Sequence, residues 1–331
     1  MKKNRTERRT ECGKKGTLQE EGRKDIIHLQ TNTRKEHPMK LFSDDMPFLR
    51  GNLHTHTTMS DGKRTPAEAM RAYREAGYDF LAITDHRKLT VPDPSEIPEG
   101  LIWIPGTELD YFLPHQVCHV VGLGIREGIE NLYSREGTPQ DGIDAIRTLG
   151  GKVVLAHPAW SVNTTDFMLG LKGVDATEIW NSVSAPPYNA NRPDSSAVLD
   201  PVFAAGCLWK VLASDDTHFY QEEFARGWTM VQTEDRTPEG ILKEILEGKS
   251  YATQGPVFYQ IEVRDREVTV RTSPCSSVIF YSNLAWAKGR TVLGEGLTEV
   301  TWTCPPKETY VRVELTDAMG RRAWSNPLPV E

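Results

Sequence analysis

Phe80-Leu81-Ala82-Ile83-Thr84-Asp85-His86 is a continuous apolar run that ends in polar groups. Four apolar residues without alternation read as a strand buried on both faces, and the polar tail puts chemistry at its C-terminal end. The same grammar recurs on either side. Leu101-Ile102-Trp103-Ile104-Pro105-Gly106-Thr107-Glu108 ends on a carboxylate and Val153-Val154-Leu155-Ala156-His157-Pro158 on a histidine. Ala176-Thr177-Glu178-Ile179-Trp180-Asn181 ends on an amide, and Val211-Leu212-Ala213-Ser214-Asp215-Asp216-Thr217-His218 on aspartate and histidine. Residues 117–124 form another strand with His119 inside it, and residues 229–233 one more. Helical patterns lie between: Thr65 caps a helix opened by Pro66 and stopped by Gly77, a second spans residues 138–149, and a third runs from Pro238 to Leu246 with Gly248 as its stop. Such alternation describes an α/β fold of (β/α) TIM-like barrel type, whose strand ends converge on one mouth. An open doubly wound sheet would gather its residues at a single crevice instead.

Beyond Val257 the hydrophobic period switches to two, as in Tyr259, Ile261 and Val263 and again in Tyr310-Val311-Arg312-Val313-Glu314-Leu315. This is the pattern of five or six antiparallel strands in a small, sandwich-like all-β domain. The expected division is a disordered basic extension over residues 1–45, the barrel over 46–256 and the β domain over 257–331. Residues 1–40 carry 12 Lys/Arg and 6 Asp/Glu, against 27 and 40 in the remainder, so a basic tail precedes an acidic body. The tail has almost no aromatics to interleave with bases, so a dispensable extension is expected rather than a nucleic-acid arm. No apolar run approaches the ~20 residues of a membrane span. The five cysteines, Cys12, Cys118, Cys207, Cys275 and Cys304, form no CxxC and fit a reduced, cytoplasmic protein.

The residues that carry chemistry sit at these strand ends. In Asn52-Leu53-His54-Thr55-His56-Thr57-Thr58-Met59-Ser60-Asp61-Gly62 two histidines spaced by two point the same way from an extended backbone, and Asp61 follows in a turn that can fold back to them. With His86, Glu108, His119, His157, Asp216 and His218 they make nine nitrogen and oxygen donors, too many for one ion and enough for two or three. Asp216 is preferred over Asp215 because the Asp-x-His spacing puts it on the side of His218. There is no GxSxG, no P-loop and no Cys beside a His base.

In its order of His-x-His, Ser-Asp-Gly, Thr-Asp-His, Gly-x-Glu, a strand His before Gly-Leu-Gly, Ala-His-Pro and Asp-x-His, the stretch 50–233 resembles the polymerase-and-histidinol-phosphatase (PHP) superfamily of metal-dependent phosphoesterases. The resemblance implies a distorted seven-stranded (β/α) barrel and two or three Mn, Fe or Zn ions. It implies as ligands His54, His56, Asp61, His86, Glu108, His119, His157, Asp216 and His218, with Glu108 bridging. Some members carry His where this chain has Asp61, a harder donor that favours Mn or Fe. Tyr251-Ala252-Thr253-Gln254-Gly255-Pro256 and Trp324-Ser325-Asn326-Pro327 are similar to the C-terminal module of two-domain PHP proteins.

The expected reaction is hydrolysis of a phosphate ester of a small phosphorylated metabolite or nucleotide by a metal-bridging hydroxide. Asp85 is expected to orient a histidine or relay a proton, and Arg87, Lys88, Arg192 and Arg226 are candidates for phosphate. His115 and Asn181, with Glu178 on the same side as Asn181, are further candidates for substrate contact. The alternatives are a nuclease acting on nucleic-acid ends, disfavoured by the acidic body, and a non-catalytic module that metals merely brace. No membrane partner is expected.

Overall fold

Three of the five α-helices among the described residues begin at a Thr-Pro pair, because the threonine hydroxyl satisfies a free N–H and proline supplies the first helical φ. Thr65 and Glu68 close a reciprocal capping box on α1 (Pro66–Glu75), Thr138 and Asp141 do so on α2 (Pro139–Thr148), and Thr237 caps α5 (Pro238–Leu246). The shorter α3 (Thr165–Gly170) and α4 (Ser196–Ala204) lie between the latter two. The computed structural model describes residues 39–330. Its strands, in chain order, are β1 (Met39–Leu41), β2 (Phe48–Asn52), β3 (Phe80–Ile83), β4 (Ile102–Leu113), β5 (Gln116–Leu123), β6 (Lys152–Leu155), β7 (Ala176–Asn181), β8 (Lys210–Ser214), β9 (Trp228–Gln232) and β10 (Ser250–Thr253). They continue with β11 (Phe258–Arg264), β12 (Glu267–Tyr281), β13 (Thr291–Thr303), β14 (Tyr310–Thr316), β15 (Arg322–Ser325) and β16 (Leu328–Pro329).

All 16 strands belong to one mixed sheet, ordered β1-β11-β12-β14-β15-β10-β9-β2-β3-β4-β5-β6-β7-β8, with β13 on β12 and β16 on β14. The ladder is open. Past the end of β8 an isolated parallel bridge, Thr55 to Thr217, brings the segment that follows β8 beside the segment that follows β2. Pairs β2–β3, β3–β4, β6–β7 and β7–β8 are parallel, but β4–β5 and β5–β6 are antiparallel. This corrects the expected alternation of strand and helix: only Pro114 and His115 join β4 to β5, and a parallel crossover needs about a dozen residues.

The inward residues of β2 to β9 meet in one buried cluster. Leu49, Phe80, Ala82, Ile104, Val121, Val154, Ala176, Leu212 and Val231 pack there with Ile241, Leu242 and Ile245 of α5. Each such side chain contributes ~1.5–3 kcal/mol by leaving water. This cluster is the floor on which the polar strand ends stand.

Residues 258–330 hold six strands and no helix among the described residues. The boundary drawn at 256/257 is nevertheless crossed. β10 pairs with β15, Tyr251 belongs to the core of the C-terminal strands, and Tyr310 and Trp324 belong to the core of β5–β8 and α2–α4. Amide pairing along β10 needed a partner that lay some seventy residues away, so the change of period concealed the seam. The extension expected over residues 1–45 is also shorter, because Met39–Leu41 pair with β11 and Phe42 is buried against Phe48 and Tyr251. Two apolar residues, Leu41 and Phe42, are enough to anchor the end of a charged segment. The rest of that expectation, over residues 1–38, lies outside the described residues. Among the described residues no helix is long and apolar enough to cross a membrane.

Candidate metal centre

The His-x-His motif stands just past the end of β2, where the strand's own ladder no longer holds it. Asn52 takes over that task. Its Nδ2 donates to the His54 carbonyl at 2.8 Å, and its Oδ1 accepts the Asp215 N–H at 2.8 Å. With the His56 N–H donating to Thr217 O and the Asp216 N–H to His54 O, each at 3.0 Å, the two segments carry His54, His56, Asp216 and His218 to one place. Asp215 faces away and accepts from Tyr73, Ser182 and the N–H groups of Ala225, Arg226 and Gly227; burial pushes its carboxyl up to about 6. The Ser-Asp-Gly turn needs its glycine for lack of room: a Cβ on Gly62 would stand 2.3 Å from the His56 carbonyl oxygen.

Glu108, 1% exposed, is the hub. Its Oε1 lies 2.8 Å from His119 Nδ1 and 3.3 Å from His157 Nε2, and its Oε2 lies 3.2–3.3 Å from His54 Nε2, His56 Nε2 and His86 Nδ1. Asp216 Oδ1 stands 3.1 Å from His56 Nε2, 3.3 Å from His54 Nε2 and 3.5 Å from His218 Nδ1. Asp61 closes the rim at 3.5–3.6 Å from His56, His86 and His218. The nine donors fall into three groups whose ligand atoms lie within 4.8 Å of one another: His56, Asp61, His86 and His218; His54, His56, Glu108 and Asp216; Glu108, His119 and His157. Neighbouring groups share His56 or Glu108; a neutral histidine offers one free ring nitrogen, so of the two only Glu108 has separate oxygens to offer to two groups.

The donor set fits divalent cations on two counts. Imidazole and carboxylate together suit Zn, Fe and Mn. Asp216 Oδ1 and His86 Nδ1 are buried without a hydrogen-bond partner, a state that costs ~1–3 kcal/mol unless an ion takes them up. The backbone is strained at the same spot, since Arg87, His157 and Asp216 hold φ of +61°, +30° and +52°. Left-handed backbone at a non-glycine residue costs ~1–3 kcal/mol and gathers at functional sites.

The second ring nitrogens are committed elsewhere, which fixes which edge faces inward. His54 Nδ1 faces Glu178 Oε1 at 2.8 Å, His157 Nδ1 faces Ser161 Oγ at 3.0 Å, and His218 Nδ1 faces the Asp216 carbonyl at 2.8 Å. Burial opposes ionisation of Glu108, Asp216, His54, His56 and His86, and facing charges outweigh it in the first four. Glu108 is held well below the usual carboxylate range by His54, His119 and His86, and Asp216 by His54, His56 and His218. Despite its burial His54 is raised well above the ordinary imidazole value by Asp216, Glu108 and Glu178, and His56 to about 10 by Asp216 and Glu108. His86 goes the other way, lowered by burial and by the neighbouring rings of His56 and His119. Two buried carboxylates thus draw protons onto the rings, and cations would displace those protons.

Other expected roles need correction. Asp85 accepts from Thr57 N–H and Oγ1, Ser60 Oγ and Thr90 Oγ1 at 2.6–2.8 Å and from no ring. It fastens the loop that carries Asp61 and reaches His56 only through Ser60, whose Oγ is 3.4 Å from Nδ1. Asn181 is 1% exposed and fully engaged, donating to Glu178 and Asp216 and accepting from Ser184, so it has no free group for substrate. His115 sits in the exposed β4–β5 turn, Arg192 is exposed, and Arg226 turns to Glu222; none of the three lines the recess over the donors. Arg87 lies nearer, with Nε 3.4 Å from Asp110, whose other oxygen is 3.5 Å from Arg135.

The recess has a volume of about 260 Å³. Trp160, Val183, Ser184, Asn189 and Phe219 complete its wall, and motif reading passed over all five. Two had a local signal, since Trp160 follows His157 by three residues and Phe219 follows His218 directly. The loop bearing Asn189 is tied to the C-terminal strands by Arg322, whose Nη1 is 2.7 Å from Asp194.

No protein-family model matches the chain. A solved two-domain protein of Bacteroides vulgatus, containing a predicted PHP-like metal-dependent phosphoesterase, superposes with a TM-score of 0.52 over 86% of this chain and 95% of that one, at 14% sequence identity. This chain has the PHP-like fold. In sequence it is 38% identical over 79 residues to the 5'-3' exoribonuclease Rnm of Escherichia coli (strain K12), and 38% over 80 residues to that of Salmonella typhimurium. Each match takes in 22% of this chain, and the chain spans about a quarter of the length of these curated relatives.

Proposed function

We propose that this chain is a metal-dependent phosphoesterase that hydrolyses a small phosphorylated molecule or nucleotide with two or three Mn, Fe or Zn ions. The observation that carries the reading is Glu108, whose two oxygens face different sets of rings and so join two of the three donor groups. Cations held there would lower the pKa of a bound water and spread the charge that builds up on a phosphoryl group in displacement. The chain's own part is to hold nine donors rigidly, with Glu178, Ser161 and the Asp216 carbonyl turning the rings and Asp85 and Asn52 pinning the loops. Burial of His54, His56, Glu108 and Asp216 keeps bulk water from the floor of the recess and strengthens the charge interactions there.

The same reading includes the architecture. Inward residues from β2 to β9 around α5, with the Thr55–Thr217 bridge past the sheet's end, support a distorted barrel, and the six antiparallel strands after it support a β module that steadies the recess through Arg322.

The test is removal of metal followed by addition of Mn, Fe or Zn, with hydrolysis of a chromogenic phosphate ester as the readout. Turnover should appear with at least one metal, and His56→Ala and Glu108→Ala should abolish it along with metal retention. A protein that binds metal and folds but hydrolyses no ester would leave only a bracing role. Steep salt inhibition towards oligonucleotides, absent with a monophosphate, would identify a nuclease instead.

A further inference from the structure

Phe219 is an aromatic ring left 37% exposed on the wall of the recess, beside His218 and on a wall that also holds Trp160 and Val183. It is held there firmly. Glu223, 2% exposed, accepts the N–H groups of His218, Phe219, Tyr220 and Gln221 at 2.5–3.2 Å, which clamps the loop that follows the last two donors. One face of the ring is covered by Tyr188, parallel to within 8° at a centroid separation of 4.2 Å. Tyr188 is itself restrained by the Glu222 N–H, 3.4 Å from its hydroxyl. A clamped aromatic pair with one ring exposed to the recess favours a third flat ring, because parallel offset stacking places edge over face without disturbing the pair.

We propose that Phe219, backed by Tyr188, is the stacking platform for the base of a nucleoside phosphate whose phosphate lies at the donor groups. The proposal rests on the phosphoesterase reading and names its substrate class. The Phe219 centroid is 6.2 Å from that of His218, so the platform adjoins the donors and one molecule that carries both a flat ring and a phosphate can engage the two together. Phenyl phosphate is the comparison that separates a nucleoside from an ester whose aromatic ring is bound directly to the phosphate oxygen. An aliphatic phosphate would leave the platform in water.

The experiment uses the full chain loaded with metal, as wild type, Phe219→Ala, Phe219→Trp and Tyr188→Ala. Values of kcat/KM are measured for adenosine monophosphate, phenyl phosphate and glycerol phosphate, and binding of adenosine is measured by calorimetry. Loss of a stacking contact is worth about 5- to 150-fold. Phe219→Ala is expected to lower kcat/KM for adenosine monophosphate by that factor relative to glycerol phosphate, mostly through KM, with Phe219→Trp restoring it. Adenosine binding should weaken in parallel, and Tyr188→Ala should give a smaller shift in the same direction. An equal loss on adenosine monophosphate and glycerol phosphate, or adenosine binding indifferent to Phe219→Ala, overturns the platform. A loss confined to phenyl phosphate overturns the nucleoside in favour of an aryl ester. Failure of the wild type to hydrolyse any of the three overturns the phosphoesterase reading, and adenosine binding still decides the platform.

Discussion

Glu178→Gln should weaken metal binding while leaving the fold in place. The carboxylate has three donors to serve: His54 Nδ1 on Oε1 at 2.8 Å, and the His157 N–H and Asn181 Nδ2 on Oε2 at 2.9 and 2.8 Å. Glutamine keeps the volume but offers one oxygen, so its NH2 must face either the His54 ring or the other two donors. Facing the ring, it favours the tautomer with the proton on Nε2, the atom that points at Glu108 and Asp216 from 3.3 Å. A ring so protonated cannot bind a cation through that nitrogen. Removal of such an orienting partner typically costs 10- to 100-fold in metal affinity, or about 1.4–2.7 kcal/mol. Metal-free protein titrated with Zn or Mn in a calorimeter reads the affinity, and thermal unfolding of the same samples checks the fold. Affinity within twofold of wild type, with a normal transition, would refute the assignment of Glu178 to orienting His54.

Gly62→Ala forces a Cβ to within 2.3 Å of the His56 carbonyl, and the clash should cost ~1–3 kcal/mol of stability and loosen Asp61; denaturant unfolding and metal content read the two effects. Deletion of residues 1–38 should leave turnover and melting temperature unchanged, whereas deletion through residue 45 also removes β1 and Phe42 and should lower stability by ~3–5 kcal/mol, the usual cost of losing a buried phenylalanine. In metal-free protein His56 is raised from 6.5 to about 10, so its protonation stabilises the fold fully below pH 6.5 and that contribution disappears as pH rises to about 10. Metal occupancy should show the opposite dependence, falling as pH drops, because each ring must lose a proton to bind; melting curves with and without metal across this window test both signs.

The convergence of the nine donors is legible because each belongs to a motif a few residues long, at or just past a strand end or, for Glu108 and His119, within β4 and β5. Strand parity tells which face a residue points to, and that suffices to gather donors. It does not tell whether a polar residue meets substrate or another side chain, which is why Asn181 and Glu178, expected to contact substrate, are found bonded to each other. Asp85 was misjudged for a related reason: adjacency to His86 in sequence put it on the opposite side, towards Thr57 and Ser60. The β4–β5 hairpin is hidden in the sequence because the apolar run breaks at Glu108, whereas the strand continues through Leu113 and turns on two residues. Pairings such as β1 with β11 and β10 with β15 depend on which distant edge is free, information that local pattern does not hold.

The seam between β10 and β15 has a consequence for synthesis. Asn326, just after β15, accepts the Val211 N–H and donates to the carbonyls of Gly248 and Ser250, so residues near 325 complete hydrogen bonding along strands that were translated far earlier. A nascent chain already exposing every histidine of the centre must therefore wait, one edge unpaired and prone to association, until the stretch around residue 325 clears the ribosome.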